Sequence, residues 1–127
     1  MCPFCAIPEE RVIEAADHAF AVLDAYPVSP GHTLIVVRRH VADVFELERD
    51  ELAAVVLLIH SARGRIDREY EPAGYNVGVN TGLAAGQTIM HVHFHIIPRY
   101  LGDSPDPTGG VRNVIPGKGR YMINGLT

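Results

Sequence analysis

Residues 91–97 read His-Val-His-Phe-His-Ile-Ile, a strict alternation of imidazole and apolar side chains. Alternation of this kind belongs to an extended strand, whose successive side chains point to opposite faces. The three histidines then share one face at intervals of about 6.5–7 Å, while Val92, Phe94 and Ile96 point the other way into a core. Near neutral pH a histidine can be a nucleophile, an acid, a base, a donor to phosphate or a metal ligand. A single strand histidine is usually a packing residue, but three at period two predict a reaction site. His-x-His on a strand is also good zinc or iron geometry, so the surrounding residues must decide between the two.

At 127 residues the chain is long enough for one domain around one core, and 47% hydrophobic and 20% charged residues are ordinary for a folded protein. No apolar run approaches the roughly 20 residues of a membrane span, and the start, Met1-Cys2-Pro3-Phe4-Cys5, carries no secretory pattern. A cytoplasmic location without a membrane partner is therefore expected. The net charge of −4 argues against a nucleic-acid groove. A polyanionic ligand would have to be held by local donors.

Cys2 and Cys5 form a C-x-x-C pair. Two cysteines alone make no disulfide framework in a cytosolic chain, and the strand-then-helix setting of a thioredoxin-like pair is missing. What remains is half of a tetrahedral metal site, with His40 and His91 available to complete it, or an unliganded terminal pair.

Periodicity and turn residues predict strands over Arg11–Ala16, Ala19–Ala25, His32–Arg38 and Tyr75–Asn80, with the histidine strand as the fifth and Pro98 ending its ladder. A short helical turn is expected over Val41–Leu47 and a long helix over Arg49–Tyr70, with Leu52, Val55, Val56, Ile59 and Ile66 as the stripe facing the sheet. His18 falls in a turn and His60 beside the stripe; neither is given a function. From Gly102 onward the chain is rich in Gly, Pro and Asp, with one apolar piece around Val111–Ile115 and little core capacity, so it should be mobile or docked on a partner. The loop Asn80–Thr88 feeds into the histidine strand with two glycines and several small polar side chains, a plausible anion cradle. It lacks the spacing of a Walker A loop.

The motif His-φ-His-φ-His-φ-φ at His91–Ile97 resembles the signature of the histidine-triad (HIT) nucleotide hydrolases and transferases. Pro30-Gly31-His32-Thr33-Leu34-Ile35-Val36 is similar to the family strand that carries an additional active-site histidine, and Asp24 stands where family members place a ribose-binding residue. The resemblance covers roughly residues 2–103. It implies an α+β fold, a five-stranded antiparallel sheet with two helices, usually as a homodimer joining two sheets side by side. Residues 1–103 would form the HIT domain and 104–127 a C-terminal tail of the same domain.

The resemblance further implies that His93 attacks the α-phosphorus of a nucleotide, giving a nucleotidyl-imidazole intermediate. His95 and His32 would flank the phosphate. Asn80, Gly86, Gln87 and Thr88 would contact the phosphoryl oxygens or leaving group, with Gln87 counted among the catalytic residues, and Asp24 would take the ribose hydroxyls. No catalytic cofactor is required. Phe4, Ile7 and Leu23 are candidates for the base pocket. Some bacterial members bind a structural zinc through an N-terminal Cys-x-x-Cys and two histidines, and the matching positions are Cys2, Cys5, His40 and His91. Pro98-Arg99-Tyr100-Leu101-Gly102-Asp103 and Ala85-Gly86-Gln87-Thr88 look like the Fhit-like dinucleoside polyphosphate hydrolases. The phosphoramidate-cleaving Hint proteins, the dinucleoside polyphosphate phosphorylases and a nucleotide-binding module with incidental turnover stand as alternatives.

Overall fold

The computed structural model describes residues 1–121, so the end of the tail expected over 104–127 lies outside the described residues. Five strands, β1 (Val12–Ala15), β2 (Ala19–Leu23), β3 (Thr33–Val37), β4 (Gly74–Val79) and β5 (His93–Arg99), form one antiparallel sheet in the order β1-β2-β3-β5-β4. Helix α1 (Arg49–Tyr70) joins β3 to β4 and packs on one face of the sheet.

The expectation of two helices needs correction. Among the described residues α1 is the only α-helix, and the other helical pieces are short 3-10 turns. The turn expected over Val41–Leu47 shrinks to Val44–Glu46: the Asp43 carboxylate takes the Phe45 N–H at 2.9 Å, and Leu47 is already extended. Three residues close i→i+3 bonds but no α-helical i→i+4 bond.

The buried side of α1 is also rotated from the expected stripe. Glu51, Ala54, Val55, Leu58, Ala62 and Ile66 are buried, whereas Leu52 and Val56 face outward. Two alanines let the helix approach closely, so small residues occupy places where the apolar periodicity favours large ones. Glu51 is tolerated there because its carboxylate accepts from Arg39 at 2.8 and 3.0 Å and from the Glu48 N–H at 2.8 Å.

Ala19, Ala21, Ile35, Val37, Val92 and Ile96 face α1 and form the main core. Full burial of each Val or Ile contributes about 1.5–3 kcal/mol. On the other face Phe20, Val22, Leu34 and Val36 are covered by Phe4, Ile7 and Val12 from the N-terminal segment. Phe4 sits in a 3-10 turn, Pro3–Cys5.

The strand carrying the histidines starts two residues later than the motif implied, at His93. It also runs through Pro98, which pairs with Tyr75 of β4. The pairing to β3 stops at Ile96, so Pro98 has a strand neighbour on one side only and its missing N–H is tolerated. Gly31, just before β3, has φ +89°, and a Cβ there would lie 2.9 Å from the Tyr70 ring. Only glycine suits that corner. The tail expected to have little core capacity carries a 3-10 turn, Gly110–Val114, beside β4, with Val111 and Val114 exposed.

Candidate active site and metal centre

Antiparallel pairing sets His93 opposite Val36 and His95 opposite Leu34. Both imidazoles lie on the sheet face away from α1, their ring centres 5.1 Å apart. His91 precedes the strand and is fully buried. Backbone groups fix the proton on each ring. His93 Nδ1 is 2.7 Å from the His91 carbonyl, and a carbonyl can only accept, so Nδ1 carries the hydrogen and Nε2 keeps its lone pair.

His32 obeys the opposite constraint. Its Nδ1 accepts the Val28 N–H at 3.1 Å, so its hydrogen is on Nε2. That Nε2 lies 3.0 Å from His95 Nδ1 and 3.5 Å from an Asp24 carboxylate oxygen. His95 therefore accepts at Nδ1 and carries its own hydrogen on Nε2. Burial lowers the His32 pKa, with Asp24 opposing, and lowers that of His95 to about 4, assisted by the neighbouring His93 and His32. Both rings are neutral at pH 7. Asp24, His32 and His95 are close enough to suggest a metal group, but with Nδ1 engaged by Val28, His32 has no free lone pair at Nε2 to give a cation.

A pocket of about 370 Å³ opens over the His93 and His95 rings. Phe4, Ile7 and Leu34 form its apolar wall, and Asp24 lies at its edge. Asn80, Gln87 and Thr88 line another part. Leu23, expected in the apolar wall, is exposed and does not line the pocket; Leu34 takes that place. Asp24 holds the Tyr26 N–H at 2.8 Å through Oδ1.

The Asn80–Thr88 loop is held from inside. Gln87 is buried, its Oε1 accepts the Gly82 N–H at 2.8 Å, and its Nε2 donates to Ala42 and Ile89 carbonyls at 2.9 and 3.2 Å. Its carboxamide shapes the loop. Asn80 and Thr88 are exposed and present their side chains at the pocket. Gly86 is an exposed corner with φ +86° that does not line the pocket; its contribution is the turn.

The second cluster lies beside the first. Cys5 Sγ is 3.2 Å from His40 Nδ1 and 3.6 Å from His91 Nδ1, Cys2 Sγ is 3.4 Å from His91 Nδ1, and the two imidazole nitrogens are 3.3 Å apart. Tetrahedral metal bonds of about 2.0–2.3 Å separate ligand atoms by about 3.3–3.8 Å, so these four atoms fit one cation. His91 Nε2 donates to the Val37 carbonyl at 2.5 Å, which turns the Nδ1 lone pair toward the thiols. Without a cation, desolvation and the adjacent Cys2 thiol raise the Cys5 pKa. A bound cation reverses that balance and favours thiolate. Cys2, Cys5, His40 and His91 can thus hold a metal, and His93 and His95 stay outside it.

Sequence reasoning missed the Val28 N–H and the rim residues Arg11 and Tyr26. A backbone donor carries no residue-type signal, and Arg11 and Tyr26 reach the pocket only through the fold. His18 and His60 are exposed, in the β1–β2 turn and on α1, and take no part in either cluster.

The model of the HIT domain matches residues 6–102. The AP-4-A phosphorylase of Mycobacterium tuberculosis is 35% identical over 108 residues, covering 80% of this chain and 55% of that protein. The crystal structure of a HIT family protein from Bacillus anthracis superposes with a TM-score of 0.74 at 28% identity, covering 96% of this chain and 79% of that one. The diadenosine triphosphate hydrolase of Plasmodium falciparum gives 0.73 at 26% identity, over 76% and 66%.

Proposed function

The chain belongs to the HIT domain family, and from that premise we propose that it is a nucleotide hydrolase. It cleaves dinucleoside polyphosphates or adenosine-phosphate conjugates at the α-phosphorus through a nucleotidyl-His93 intermediate. The observation that carries this reading is the His93 tautomer, with Nδ1–H on the His91 carbonyl and Nε2 unprotonated beside the pocket. The Nε2 lone pair forms the P–N bond as the bond from phosphorus to the leaving oxygen breaks. The resulting imidazolium keeps its Nδ1–H on the carbonyl, which stabilises the positive charge. Water then adds to phosphorus, the P–N bond breaks, its electron pair returns to Nε2, and one proton leaves with solvent.

His95 assists as a neutral donor through Nε2–H, oriented by His32. A polyphosphate departs as a stable anion and needs a hydrogen bond more than a proton. The Fhit-like run Pro98–Asp103 favours polyphosphates over phosphoramidates. Asp24 serves the ribose, Asn80 and Thr88 donate to phosphoryl oxygens, and Gln87 acts by holding their loop. The metal centre is assigned to structural zinc, with no open position for chemistry. A homodimer joined along the β4 edge of the sheet is supported by the exposure of Val77 on that edge strand.

A phosphorylase is the second reading, favoured by the Mycobacterium tuberculosis relative; it shares the covalent step and replaces water with phosphate. Products from diadenosine tetraphosphate, with and without inorganic phosphate, distinguish the two. AMP and ATP in both conditions support the hydrolase. ADP formed only with phosphate supports the phosphorylase, and no product dependent on His93 would overturn both.

A further inference from the structure

We propose that the metal centre and the nucleotide pocket are thermodynamically linked through Phe4, a positioning residue that the two ligand cysteines carry against the His93 imidazole. The inference rests on the nucleotide reading of the pocket. Phe4 lies between the cysteines, inside the turn Pro3–Cys5, and that turn is closed by the Cys5 N–H to the Cys2 carbonyl at 3.2 Å. Its ring meets the His93 ring edge-on, with centres 4.8 Å apart and planes at 79°. It meets His91 similarly at 6.2 Å. The same ring forms part of the apolar wall of the pocket.

Side-chain packing of Phe4 and Ile7, without backbone pairing, attaches the turn to the sheet. Strand pairing begins only at Val12, and the backbone hydrogen bonds described for residues 1–7 stay within the turn. Half of the metal ligands, Cys2 and Cys5, are on it; the others, His40 and His91, flank β3 and β5. A cation therefore ties the turn to the centre of the sheet, one ring away from His93. Fixing Phe4 completes the pocket wall and restricts the His93 ring to the orientation in which Nδ1–H meets the His91 carbonyl. A nucleotide that fills the pocket against Phe4 holds the turn in place from the other side. Linkage makes the effect reciprocal: whatever factor the metal adds to nucleotide affinity, the nucleotide adds to metal affinity.

The test measures Zn²⁺ affinity of the full chain by competition with a chromophoric chelator, with and without saturating AMP, in wild type, Phe4→Leu and Phe4→Tyr. Leucine keeps apolar volume on the sheet but removes the ring, while tyrosine retains it. AMP should tighten Zn²⁺ binding about 5-fold or more in wild type and in Phe4→Tyr. Phe4→Leu should lose most of the tightening, read as the ratio of its own Zn²⁺ affinities with and without AMP. Equal Zn²⁺ affinity with and without AMP in a wild type that binds AMP would overturn the linkage, and full tightening in Phe4→Leu would overturn the role of the ring. A zinc-loaded wild type that fails to bind AMP would instead remove the nucleotide reading, and this inference with it.

Discussion

His32 donates its Nε2 hydrogen to His95 Nδ1 across 3.0 Å, because the Val28 N–H occupies the other nitrogen of His32. One main-chain donor thus determines which nitrogen of a ring two links away points a hydrogen into the pocket. Replacing His32 by Phe should leave His95 free to adopt either tautomer and lower kcat by about 10²-fold, with a smaller change in KM. Steady-state kinetics on diadenosine tetraphosphate check this.

His93→Ala should abolish turnover while the fold persists. A nucleophile has no substitute within reach, so a loss of at least about 10⁴-fold in kcat is expected, with a far-ultraviolet circular dichroism spectrum like that of wild type. Free imidazole should restore part of the activity to His93→Gly.

Cys2→Ser acts on stability before chemistry. Losing one of four ligands should weaken metal binding by orders of magnitude and lower Tm by about 5–10 °C, as a loss of roughly 2 kcal/mol would do in a chain of this size. Chelator should reduce the Tm of wild type but barely change that of the variant. Calorimetry with metal analysis checks both.

His32 and His95 both contribute to the pH dependence of stability. His32 and His95 have pKa values below the ordinary 6.5, that of His95 at about 4. Between pH 6.5 and 4 the unfolded chain takes up protons that the folded one refuses, so folding stability falls as pH falls through this window. Below about pH 4 the folded ring also titrates and the His95 contribution is already lost. Urea midpoints across this window should fall less steeply for His95→Gln than for wild type.

Gly31→Ala should destabilise by about 1–3 kcal/mol. It places a side chain at φ +89° and 2.9 Å from the Tyr70 ring, at the corner that delivers His32. Denaturant titration gives the loss, and kcat should fall with it because His32 is displaced.

Much of the site was legible because it lies along one strand. Period two in His91–Ile97 set which side chains share a face, and C-x-x-C together with His40 and His91 pointed to four residues whose ligand atoms the structure brings close enough to hold one cation. The rotation of α1 was not legible: Ala54 and Ala62 are weak in any hydrophobicity pattern, yet their small size determines how the helix seats. The phosphate-contacting role of Gln87 comes from the family resemblance, and only the folded loop brings the Ala42 and Ile89 carbonyls to its side-chain N–H groups. Pro98 reads as a terminator because proline cannot donate to a ladder, and the one-sided pairing of β5 that tolerates it is set only by the fold.

The central claim is a covalent bond from His93 to the α-phosphorus. Wild type mixed with diadenosine tetraphosphate, quenched in base where a phosphorus–nitrogen bond to histidine survives, can be digested and read by mass spectrometry. An AMP adduct on His93 that forms and decays at rates consistent with kcat is the predicted result. Turnover with no adduct on His93, or with the adduct on another residue, would contradict it.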